Sequence, residues 1–184
     1  MRNKEDIRAE LSVPLSQFNL HEAVSSVSNN PKELELIYQL IRDNDIKVAW
    51  KAAWVLEKIA KRFPELVVSY QNDLYTTVMK TNHDGLKRIL LSTIYVLPGP
   101  KKIPVDFLDF CLERMLSFDE SIANQALCIK HAFRLCSIEP ELLDELQLYL
   151  ENADREYYAK GVQSTIKNTL ILINKQRAKQ NRKK

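Results

Sequence analysis

Only three glycines occur in 184 residues. Gly85, Gly99 and Gly161 stand far apart and cannot build the glycine-rich loop that cradles phosphate groups. Cysteine is equally scarce. Cys111, Cys128 and Cys136 are odd in number, lack Cys-x-x-Cys spacing and sit within apolar helical patterns. They read as buried, reduced thiols, not as a disulfide framework or a metal site. His21, His83 and His131 are scattered, with no His-x-x-x-His pair and no cysteine or acid at ligand spacing. No metal and no cofactor is therefore expected. Gly-x-Ser-x-Gly, Ser-x-x-Lys and other nucleophile–base pairings are missing, so the expectation is a protein that is not an enzyme. No apolar run approaches the roughly 18–20 residues that cross a bilayer, and no membrane partner is expected. The start MRNKEDIRAELSV is charged and has no apolar core of a secretory signal, which makes the cytoplasm the expected location.

What the chain does have is a helical repeat. Ala53, Leu90, Ala126 and Val162 fall in one column spaced by about 36 residues. Four positions earlier stand Ala49, Leu86, Ile122 and Tyr158, and seven positions later Ala60, Leu97, Phe133 and Thr169. A period of this length, carried by helices alone, marks stacked helix pairs. Punctuation recurs in phase. Pro31, Pro64, Pro104 and Pro140 open the first (A) helix of each pair, and Asp45, Asn82 to Asp84, Asp119 to Ser121 and Asp154 precede the second (B) helix. The first B helix is expected over residues 46–62 and the last over 155–175. Pro98-Gly99-Pro100 is the strongest break, because each proline removes a donor and restricts the residue before it. The expected organisation is a helical capping segment over residues 1–30, a repeat array over 31–175 and a basic, fraying tail over 176–184.

Charge segregates by helix. The A elements, residues 31–45, 63–80, 103–120 and 139–154, carry net charges of −2, −1, −4 and −6. The B elements, residues 46–62, 81–102, 121–138 and 155–175, carry +4, +3, +2 and +3. The overall +3 thus conceals two strongly opposed sets of helices.

The B-helix run Val48-Ala49-Trp50-Lys51-Ala52-Ala53-Trp54-Val55-Leu56, together with the proline-started A helices, resembles HEAT and armadillo-type repeats over about residues 31–175. More narrowly, Trp-Lys-Ala-Ala-Trp-Val-Leu-Glu followed by Pro-Glu-Leu resembles small stand-alone bacterial HEAT-like proteins without an assigned activity. The resemblance implies an all-α fold, a right-handed α-α superhelix of about four HEAT-like pairs behind an N-terminal helical cap. It also implies that B helices line a concave face, which would then be basic. Two rows would run along it: Lys51, Arg88, Asn124 and Lys160, and Lys58, Tyr95, His131 and Lys167, with Trp54 between the cations. Such rows attract an anionic partner. The expected partner is an acidic protein or peptide, and the chain would be a scaffold. Two alternatives stand beside it. The cations can simply solvate an exposed face. Or the groove can take nucleic acid, since the chain resembles HEAT-like bacterial DNA glycosylases for alkylated bases in its helix pairs and Trp-bearing basic face. Those enzymes place an Asp in the groove, and here only Glu57 could substitute. Glu57 itself reads either as a carboxylate paired with Lys61 at i+4 or as a groove base. Trp50 and Trp54 read as a seam between repeats or as a stacking platform. The sequence leaves the oligomeric state open.

Overall fold

The computed structural model describes residues 2–181, and among these it contains eleven α-helices, three short 3₁₀ turns and no strand. The chain divides into two compact units, residues 1–98 and 99–184, parted at the Pro98-Gly99-Pro100 break. That division falls inside the stretch read from sequence as one array.

In the first unit, α1 (Lys4–Ser12) and α2 (Leu20–Ser28) precede the pair α3 (Pro31–Leu40) and α4 (Ile46–Arg62). The second pair is α5 (Pro64–Val67), continued through a 3₁₀ turn into α6 (Gln71–Lys80), and α7 (Asp84–Val96). Side chains cap most of these starts. Asn3 and Asp6 form a capping box, Asn30 accepts from the amides of Lys32 and Glu33, and Asp45 accepts from Lys47. Each satisfies amides that have no partner inside the helix. The hub is α4, packed against α1, α2, α3, α5 and α7. Its buried residues are mostly small or β-branched: Val48, Ala49, Ala52, Ala53, Val55 and Ala60, with Leu56 and Ile59. Alanines on several sides let several neighbours approach closely, which explains why a helix apolar over most of its circumference sits at the centre.

The period is visible in the bonding. Arg8 to Asp43, Tyr70 to Glu35, Tyr38 to Asp73 and Ser92 to Glu57 each join residues 35 apart. Tyr38 and Tyr70 also stack at 4.1 Å between ring centroids. The A helices are therefore laced to one another by tyrosines and acids, and the B helices by Glu57.

The second unit has α8 (Val105–Arg114) and α9 (Ile122–Cys136), then α10 (Pro140–Glu151) and α11 (Lys160–Asn181). Here α9 is the hub, touching α8, α10 and α11. Three expectations shift. The repeat column fails at α9: Ile122 is exposed and Ala126 half-buried, and the buried face instead carries Gln125, Cys128, Ala132 and Leu135. The last B helix starts at Lys160, not at 155. Residues Arg155–Tyr157 form a 3₁₀ turn and Asp154 makes no cap bond, because the chain is drawn aside where the Tyr158 hydroxyl donates to the Leu116 carbonyl at 3.1 Å. Finally, α11 continues to Asn181 where a fraying tail was expected, with Arg177 paired to Asp144 of α10. Residues 182–184 of that tail lie outside the described residues.

Candidate functional site

The outward face of α4 and α7 brings exposed cations and aromatic rings together. The two helices run in register, since Glu57 meets Ser92 and Trp50 lies against Gly85, where an added Cβ would stand 3.2 Å from the indole nitrogen. On α4, Lys47, Trp50, Trp54, Lys58 and Lys61 recur at three- and four-residue steps and reach the surface. On α7, Arg88 and Tyr95 are exposed, with half-buried Ser92 between them. Trp50 and Trp54 lie 5.2 Å apart between centroids, and Phe18, from the α1–α2 connection, adds a third ring 6.3 Å from Trp54.

Beside Trp50 opens a pocket of about 490 Å³ lined by Ser12, Val13, Pro14, Leu15, Ile46, Lys47, Trp50, Lys51 and His83. Its ionisable residues are all basic. The His83 side chain accepts the Leu86 amide at Nδ1, 3.1 Å, and so caps α7.

Glu57 is ionised and occupied. Burial pushes its carboxyl up, but hydrogen bonds from Lys61 at 2.8 Å and Ser92 at 2.5 Å outweigh it and hold it below the usual carboxylate range. A carboxylate held in that state is a weak proton acceptor near neutral pH. The helix pairing anticipated from sequence is thus accompanied by a second bond, from the neighbouring B helix.

The residues expected along the basic rows divide by exposure. Arg88, Tyr95, Lys160 and Lys167 are exposed, and Trp54 and Lys58 half-buried. Lys51, Asn124 and His131 are buried, contrary to the expectation that they face a groove. Lys51 is 5% exposed. Its ammonium donates to the Leu11 carbonyl at 2.7 Å and to that of Val13, closing the C-terminal end of α1, and burial lowers its pKa. Asn124 donates to buried Glu120 at 3.0 Å. His131 packs edge-on against Phe107 of α8 at 5.1 Å. In each case a segment outside the B helix covers a position that helical periodicity alone would leave open. The three buried cysteines are free thiols; burial pushes Cys111 well up and Cys136 up to about 11. Unpaired thiols with such values are poor nucleophiles.

Among the described residues, no group of three His, Cys, Asp or Glu is placed to hold a metal ion, and no helix is long and apolar enough to cross a membrane. Comparison with curated proteins and with solved structures finds no match. A family profile does match, over residues 7–173, so that it reaches back into α1 and α2. HEAT repeats commonly mediate protein interactions and are typically non-catalytic. Paired helices, laced at a 35-residue offset in the first unit and matched by the family profile over residues 7–173, place the chain in the HEAT repeat domain family.

Proposed function

We propose that the protein is a non-enzymatic scaffold that recognises an acidic protein or peptide on the outward face of α4 and α7. One observation carries this reading: Lys47, Lys58 and Arg88 reach the surface on the same helix faces as Trp50 and Trp54, while Glu57, the one acid of α4, is already held by Lys61 and Ser92. Lysine and arginine supply attraction at a distance, and the indoles supply desolvated contact area. The pocket beside Trp50 gives an apolar side chain of the partner a place next to Lys47. Within the second unit, taken by itself, Lys160 and Lys167 of α11 are also exposed cations.

The chain's two tryptophans both lie on this face, so intrinsic fluorescence reports on it directly. Titration with a short oligoglutamate peptide is expected to change the emission saturably. The change should shrink as salt screens the charges and vanish in Lys58→Glu/Arg88→Glu, whose sites are at the surface. A double-stranded oligonucleotide serves as the rival. Duplex binding tighter than oligoglutamate binding, with a steep salt slope, would transfer the site to nucleic acid. An absent response to both probes at low salt would remove it.

A further inference from the structure

Among the described residues, the two most exposed large apolar side chains stand in the turns after α8 and α10 of the second unit, and further ones lie on α10 itself. Tyr157 is 73% exposed, Phe118 72%, Leu148 59% and Tyr149 53%. Leu148 and Tyr149 line a trough between α8 and α10. One end, about 320 Å³, is lined by Leu108, Leu112 and Glu113 of α8 and by Leu142, Glu145, Leu146 and Tyr149 of α10. The other, about 620 Å³, shares Glu145 and Tyr149 and adds Leu116, Leu148, Asp154 and Tyr158. Phe118 stacks on Tyr158 at 5.1 Å, extending the apolar wall to the surface. The floor arises because α9 covers only one side of each A helix. Leu108, Leu112 and Leu116 recur four apart, as do Leu142, Leu146 and Leu150, and part of each row stays open.

Every charged residue lining the trough is acidic: Glu113, Glu145 and Asp154. Residues 139–154 contain six acids and no base. The same acidic helix already takes a cation, for Arg177 of α11 pairs with Asp144. An apolar floor about two helical turns long, rimmed by one sign of charge, is the negative image of a helix with leucines on one face and lysines or arginines beside them.

We propose that the trough between α8 and α10 binds a cationic amphipathic helix of a partner protein. Apolar residues at i, i+4 and i+7 of that helix enter between Leu112, Leu142, Leu146 and Tyr149. Its basic residues meet Glu113, Glu145 and Asp154. This site is opposite in charge to the α4–α7 face and does not rest on that assignment. A chain carrying both would join an acidic partner to a basic one.

The test uses the full chain and a labelled peptide of about 14 residues, four turns, with leucine and lysine in helical period. A scramble of the same composition and a leucine–glutamate twin are the controls. The lysine peptide is expected to bind and gain helicity. At least tenfold weaker binding is expected for the scramble and the glutamate twin. Glu145→Lys/Tyr149→Ser replaces two exposed side chains and should lower affinity at least tenfold with an unchanged melting temperature. Lys58→Glu/Arg88→Glu should leave this peptide's binding unaltered. Equal binding of peptide and scramble would overturn the proposal, leaving only diffuse charge attraction. So would sedimentation of the unliganded protein as a dimer that Glu145→Lys/Tyr149→Ser dissociates, because the trough would then belong to a second copy.

Discussion

Replacing Lys51 by methionine isolates the most consequential difference between the expected and observed roles of a basic residue. Methionine keeps an unbranched stem in the same slot, so packing is largely retained. What disappears is the ammonium that bridges the Leu11 and Val13 carbonyls. Hydrogen bonds from a charged donor contribute about 1.5–3 kcal/mol each, and a buried carbonyl left without a donor costs about 1–3 kcal/mol. Leu11 lies within the last turn of α1, where no amide of the same helix can replace the lost donor. Against this stands the relief of burying one charge fewer, which the lowered Lys51 pKa registers. The balance is a loss of about 2 kcal/mol, or about 4–8 °C in melting temperature for a chain of this size. Lys47→Met, one turn away on the same helix but exposed, should stay within about 0.5 kcal/mol. Urea unfolding followed by circular dichroism measures both. A Lys51→Met protein as stable as the parent would refute the capping role and return Lys51 to the surface row predicted from sequence.

Other outcomes follow from the same geometry. The hydrogen bond from Arg2 holds the Glu33 carboxyl below its ordinary 4.5, and that from Arg8 holds Asp43 below 3.8. Both contribute stability that is complete above those values and lost as pH falls through the lowered folded ones. Urea midpoints measured from neutral to acid pH should therefore fall more gently for Glu33→Gln, which starts lower at pH 7; parallel curves would contradict the pairing. Burial and the bond to Glu35 push the Tyr70 phenol up to about 12. Tyrosinate absorbance in Tyr70→Phe should therefore lack the last-titrating component of the parent, and an unchanged curve would place that component elsewhere. Glu57→Ala removes the acceptor of both Lys61 and Ser92 and should destabilise by about 1–3 kcal/mol. Glu57→Gln, which keeps an acceptor oxygen, should lose less and bind oligoglutamate at least as well as the parent.

The helices were legible because their signals are local. Pro31 and Pro140 stand at the first helical positions, Asp45 caps α4, and the span predicted for α4 matches the one observed. The first unit keeps the apolar column through Ala53 and Leu90, since α4 and α7 pack directly on each other. Periodicity fixes the phase of a helix but not what another segment lays over it. Lys51 is covered by carbonyls about forty residues earlier in the chain, and His131 by Phe107 of the facing A helix. The column through Ile122 and Ala126 failed for the same reason: α9 turns Cys128 and Ala132 inward against its own neighbours. The trough on the acidic helices left a trace that the charge tally obscured. Leu112, Leu116 and Leu142, with Phe118, Leu148 and Tyr149, are more apolar surface than one central helix covers.

The central functional claim is that acids dock on the outward face of α4 and α7. Amide chemical-shift mapping of the isotope-labelled protein with oligoglutamate tests it residue by residue. The largest shifts are expected at Lys47, Trp50, Trp54, Lys58, Arg88 and Tyr95, and those shifts should be lost in Lys58→Glu/Arg88→Glu. Shifts confined to other basic segments, such as residues 175–181 of α11, with α4 and α7 unmoved, would contradict it.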